Sequence, residues 1–188
     1  MEQSIRHVIL PKERDPRLVT IRRGGTLTDA DHRLLALWAA ACAEHVLELF
    51  ETVRPDDARP RMAIENARMW VNGEVTMMRS RAVAGHANAA ARDLRGASRF
   101  AAYAAAQAAA VPHVAGHDLG AAAYAIKAVR ASTPLGEEDD AGQRECRWQR
   151  DQLPDAVRAL VIDDQRLRND ICRGVSRLVR SAGRRGQG

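Results

Sequence analysis

The amino-acid sequence predicts an all-α fold, a single-domain bundle of about six to eight helices, and three observations carry that prediction. Alanine is abundant and aromatic residues make up only 4% of the 188 residues, so local preference favours helix over strand. The β-branched residues are scattered through the chain rather than clustered into strand-like runs. Apolar residues recur at spacings of 3 and 4, which is the period of one helix face. A chain of this length predicts one domain, large enough to bury a core without covalent staples.

Taken in order, residues 1–26 hold Pro11, Pro16 and the Gly24-Gly25 pair among charged side chains and read as an extended basic arm. The helical domain begins at residue 27. Thr28, with Asp31 three positions later, reads as the N-cap of a first helix of about 25 residues. Leu35, Trp38, Cys42, His45 and Leu49 form its continuous stripe. A turn, RPDDARP, leads to a second helix over RPRMAIENARMWVNG, with Pro60 at its start and Gly73 at its stop. Arg61, Glu65 and Arg68 are spaced there for ion pairs within the helix.

Thr76 caps a third helix running to residue 92. A fourth spans 97–111, with Phe100, Tyr103, Gln107 and Val111 on one face, and after Pro112 a fifth spans 113–132. Helices three to five are so rich in alanine and glycine that their backbones can approach closely, while neighbours must supply the bulky side chains. The stretch TPLGEEDDAG reads as a polar loop and QRECRWQRDQL as a short helix. After Pro154, a stripe of Val157, Leu160, Val161, Leu167, Ile171, Val175 and Leu178 runs toward residue 181, and 182–188 read as a disordered tail. Ala84-Gly85-His86 and Ala115-Gly116-His117 echo each other 31 residues apart, as stacked helical units would, or by chance in an alanine-rich chain.

Three widely spaced cysteines, 42, 146 and 172, lack C-x-x-C spacing and suit reduced thiols. The N-terminus lacks the apolar core of a signal peptide, and no stretch approaches about 20 uncharged apolar residues, so a cytoplasmic protein is expected. The net charge of +5 rests almost entirely on arginine, partly concentrated in Arg22, Arg23, Arg177, Arg180, Arg184 and Arg185. Such a balance suits an anionic ligand, an acidic protein or nucleic acid.

No phosphate-binding loop is present, because Lys12 precedes Glu13 and Lys127 precedes Ala128. Hydrolase elbows of the G-x-S-x-G type are absent as well. Histidines are the more suggestive set. His113 and His117 are spaced i,i+4 on the expected fifth helix and could face one cleft with His45 and His86. Hydrogen-bonded structural histidines, a polar pocket and, least favoured, a metal site remain open for them; no metal or other cofactor is expected. Trp38, Trp70 and Trp148 read first as core anchors and second as aromatic walls beside Arg61, Arg68 or Arg147. Asp139-Asp140 and Asp163-Asp164 read as solvated or helix-start acids rather than as a divalent-ion site.

The runs DHRLLALWAAACAEHVLELFE, RPRMAIENARMWVNGE and HDLGAAAYAIKAVRA resemble the bacterial Imm-5-like immunity protein family over residues 27–171. The string RPRxAIExxRxWxxGE is the most distinctive part. The resemblance implies a small α-helical cytoplasmic protein that protects a cell against a toxin. Some relatives are labelled exonuclease subunits of the SMC-like ATPase type, but that activity needs a P-loop and long coiled-coil arms, and neither is here. Pro112 before His113 and the basic ends depart from the family pattern.

Three functions follow. The leading one is a binding protein without catalysis that blocks a toxin by protein contact, with Arg61, Glu65, Trp70 and Tyr124 among the contacts. An enzyme or small-molecule binder using His45, His86, His113 and His117 is the second. Nucleic-acid binding through the arginine-rich ends is the third. A protein partner is expected, a homodimer is a further option, and no membrane partner is expected.

Overall fold

The computed structural model describes residues 10–168, which form eight α-helices and no strand. These are α1 (Asp29–His45), α2 (Glu48–Glu51), α3 (Arg59–Val71), α4 (Met77–Ala90), α5 (Gly96–Ala110), α6 (Asp118–Ser132), α7 (Glu138–Asp151) and α8 (Asp155–Leu167). The all-α expectation holds. Helices α3 to α7 pack as successive neighbours, while α1 runs through the bundle and touches α3, α5, α6 and α8. Those cross-contacts are unlike a solenoid, where each unit meets only the next.

Start signals act where the sequence places them. The Thr28 hydroxyl accepts the Asp31 amide at 3.0 Å and donates to the Asp31 carboxylate at 2.7 Å. Thr76 accepts the Arg79 amide at 3.2 Å at the head of α4. Pro60 sits in the first turn of α3, and Gly73 follows its end at φ +79°, a region open to glycine at little cost.

The expected 25-residue first helix is instead two pieces. Val46 leaves helical geometry (φ −112°, ψ 3°), and this break lets Val46, Leu47 and Phe50 all enter the core. His45, the last residue of α1, is exposed and so leaves the buried stripe. Around α1 the core is built on the alanine faces of α5 and α6. Ala101, Ala105, Ala108, Ala122 and Ala125 are fully enclosed, and Leu35, Trp38, Phe50, Ile64 and Ile126 fill the space between helices. Close backbones with bulk from neighbours are what the alanine content implies.

Two further expectations change. Glu138, Asp139 and Asp140 are not loop residues but the first turn of α7, where the positive end of the helix favours acids. His113 and His117 do not share a helix. After α5 the chain turns at 111–113, Val114 is extended, Ala115–His117 form a 3-10 turn, and α6 starts only at Asp118. Pro112, which has no amide hydrogen, sits in that turn.

The N-terminal arm lies coiled on the bundle. Pro16–Leu18 and Ile21–Arg23 are 3-10 turns, Leu18 and Leu27 are buried, and Thr20 bridges to Leu27. Gly24 (φ +87°) and Gly25 make this possible: a Cβ on Gly25 would lie 2.0 Å from the Val19 carbonyl oxygen and 2.5 Å from that of Pro16. Arg17 ties the arm to α8 by donating to Asp163 at 2.8 Å. Ile171, Val175, Leu178, Cys172, the C-terminal arginines and the tail lie outside the described residues.

Candidate binding cleft

The four candidate histidines do not converge. His86 is exposed in the middle of α4. His45, also exposed, donates from Nδ1 to the buried Glu145 carboxylate at 2.9 Å and stacks on Trp148 with ring centroids 3.6 Å apart. Glu145 is held in turn by the Gln149 amide at 2.8 Å, and burial pushes its carboxyl above the usual range. The Gln149 amide also donates to the Ala122 carbonyl at 3.1 Å. That chain of contacts ties α1, α6 and α7 together.

His113 and His117 lie at the junction of α5 and α6. His117 donates from Nδ1 to Gln107 at 2.7 Å, and burial lowers its pKa to about 4, leaving the ring neutral. The Ala84-Gly85-His86 and Ala115-Gly116-His117 echo therefore has no structural counterpart, one copy being an open helix face and the other a buried helix start. Under His117, Asp118 is fully buried, with Asp164 as its acidic neighbour and the Arg168 guanidinium 3.8 Å away. Burial and the Asp164 charge raise the Asp118 pKa to about 7.

A cleft of about 490 Å³ opens where the arm crosses the α5–α6 junction and the end of α3. Arg14, Arg22 and Arg23 come from the arm, His32 from α1, Trp70 from α3 and His113 from the turn before α6. His32 donates from Nε2 to the Val111 carbonyl at 2.8 Å and meets the Trp70 ring edge-on at 4.9 Å. Burial lowers its pKa, so both imidazoles lining the cleft favour the neutral form. Arg23 donates to the His113 carbonyl at 3.2 Å. Arg22 pairs with Asp29 at 2.9 Å near the mouth.

Among the α3 candidates only Trp70 reaches this cleft. Arg61 binds Glu51 through two bonds of 2.7 and 2.6 Å, and Arg68 binds both oxygens of Glu44, one at 2.8 Å. The expected pairs with Glu65 inside the helix are replaced by these, because α1 and α2 bring carboxylates alongside α3. Glu65 stays exposed. Trp38, by contrast, is a core anchor whose indole donates to the Gln149 carbonyl at 2.7 Å.

Tyr124 stands apart on the α5–α6 surface, 5.2 Å from Tyr103 and beneath the Lys127 ammonium at 4.8 Å. Asp139 pairs with Arg130 at 2.6 Å, and Asp163 with Arg17 and Arg166. Among the described residues no group of three His, Cys, Asp or Glu side chains is placed to hold a metal. Buried Cys42 and Cys146 are unbridged, and burial pushes the Cys42 thiol up.

Sequence reasoning missed His32 and Arg14. His32 stands three residues before Leu35 and so continues the stripe of α1, a readable signal. Nothing in the sequence brings Arg14 to the end of α3.

Residues 25–156 match the family described as Imm-5 like putative immunity protein. The chain belongs to this family. The match runs from the end of the arm into the start of α8, so it spans the helices that wall the cleft, whereas Arg14, Arg22 and Arg23 precede it. Membership implies a protein partner. No curated protein and no solved structure matches the chain. No described helix is long and apolar enough to cross a membrane.

Proposed function

We propose that this immunity-family protein neutralises a bacterial toxin in the cytoplasm by direct protein contact, without catalysis, and that the arm-side cleft is where the toxin docks. Trp70 carries the reading. It belongs to the distinctive RPRxAIExxRxWxxGE string, yet it lies half-buried at the cleft, while Trp38 fills the core. Arg61 and Arg68 of the same string hold α3 to α1 and α2, so the string combines a structural role with one residue available to a partner. Tryptophan and arginine, which meet here around a concave surface, are among the side chains that dominate binding at protein interfaces.

The test is protection of a cell expressing a toxin, sought among the genes neighbouring this one, together with co-purification of the two proteins. Trp70→Ala is expected to weaken binding by about 2 kcal/mol, the size of an interface hot spot, and to reduce protection. Full protection by a well-folded Trp70→Ala protein would remove the cleft from the proposal. Absence of any complex with the wild-type chain would remove the toxin-binding reading itself.

A further inference from the structure

We infer that the cleft is a carboxylate-recognition site, which takes an acidic side chain of the protein partner between the guanidinium groups of Arg14 and Arg23, beside the ring of His113. This rests on the toxin-binding reading and names the chemistry of the segment that docks.

Charge balance is the first argument. Three arginines and two histidines line the cleft, and no Asp or Glu does. Several guanidinium groups elsewhere on the surface have carboxylate partners, Arg17 with Asp15 and Asp163, Arg59 with Asp57, Arg61 with Glu51 and Arg68 with Glu44, while others such as Arg33, Arg81 and Arg92 have none among the described residues. Within the cleft only Arg22 has one, at the mouth, where both partners are well exposed. Arg23 reaches only a backbone carbonyl, and Arg14 makes no ion pair among the described residues. A concentration of one sign in a partly enclosed space focuses the field and favours an anion.

An orphaned polar atom is the second. His113 Nδ1 is buried and has no hydrogen-bond partner. Buried ring nitrogens are ordinarily paired, so the His113 ring keeps hydrogen-bonding capacity that the described residues do not use. Desolvation and the nearby Arg81, Arg23 and Arg14 charges hold the His113 pKa down. A neutral His113 ring offers an N–H to a carboxylate oxygen from its edge that lines the cleft, and the incoming negative charge offsets the positive field of Arg14 and Arg23.

Wall chemistry is the third. Leu18, Val19, Met77 and Pro112 also line it beside Trp70. Such apolar surface suits the stem of an acidic residue and an apolar neighbour on a peptide segment better than a bare inorganic ion. A space of about 490 Å³ admits one or two side chains, not a helix.

The probe is a capped six-residue peptide alternating Glu and Leu, compared with its Gln and Leu counterpart, titrated into the whole ¹⁵N-labelled chain. The expected result is saturable shifts of the His113 ring nitrogens and the Trp70 indole by the acidic peptide, with the neutral one at least about tenfold weaker. Arg14→Gln should weaken the acidic peptide about tenfold with an unchanged circular dichroism spectrum, and Arg92→Gln, which does not line the cleft, should leave it unaltered. Equal binding of the two peptides, or no shift at His113, overturns the inference. Inorganic phosphate binding as tightly as the acidic peptide also overturns it, making the cleft a site for free anions. A toxin that co-purifies equally with Arg14→Gln and with the wild type sinks this inference but not the proposed function; a toxin that never binds sinks the function, while the peptide result stands by itself.

Discussion

Asp118 shows how far burial and a neighbouring like charge move one carboxyl group. Its side chain is fully enclosed, its Oδ1 accepts the Leu119 amide at 2.5 Å, and its Oδ2 has no partner. Asp118 and Asp164 face a single guanidinium, that of Arg168, so the cluster disfavours holding both charges. The folded pKa, about 7, lies above the ordinary value of 3.8. Folding is therefore linked to keeping the proton: the full stability is present below about pH 4 and declines as pH rises toward 7. Asp118→Asn, which has no charge to form, should gain on the wild type by about 2–3 kcal/mol between pH 5 and pH 8. Urea titrations at the two pH values measure that gap, and parallel stabilities would show that Asp118 ionises freely in the folded protein.

Helix pairing in this protein depends on small side chains. Ala122 lies wholly buried in α6, and its carbonyl accepts the Gln149 amide of α7. Ala122→Leu would insert three carbons where the core has no room, and a loss of about 1–3 kcal/mol is expected by chemical denaturation. Charged contacts between elements weigh less. Arg61 and Glu51 are both partly exposed, and a double-mutant cycle should return a coupling of at most about 1 kcal/mol despite the two-bond geometry. The arm is an element too, although it is no regular helix. Any side chain at residue 25 collides with the Val19 and Pro16 carbonyl oxygens, so Gly25→Ala should detach the turn at 20–27. Faster proteolysis of the arm, with helix content retained, would report it.

At the scale of the molecule, the cleft exists because separate stretches meet: the arm, the α5–α6 junction, the end of α3 and the starts of α1 and α4. Partner binding through it should fall as salt rises from 50 to 500 mM, since the exposed guanidinium groups of Arg14, Arg22 and Arg23 are screened. Reversing two of those charges, Arg22→Glu with Arg23→Glu, should abolish toxin protection while leaving thermal stability within a few degrees. Binding that ignores both salt and charge reversal would place the partner elsewhere on the surface.

The residue pattern by itself determined the helices. Alanine content, the 3-and-4 spacing and local signals such as Thr28, Pro60, Gly73 and Thr76 act within a few positions, so they are legible without neighbours. Tertiary structure decided where the chain departs from that local logic. Val46 and Leu47 break the first helix because both find a place in the core, and the acidic run opens α7, where Asp139 meets Arg130 of α6. Arg61 and Arg68 choose carboxylates on α1 and α2 over Glu65 for the same reason. The histidines divide because Pro112 and Val114 take His113 out of the helix that a four-residue spacing implies. A cleft belongs to no single segment: Arg14 and His113 lie 99 positions apart, and only packing of the arm on the bundle sets them around one space.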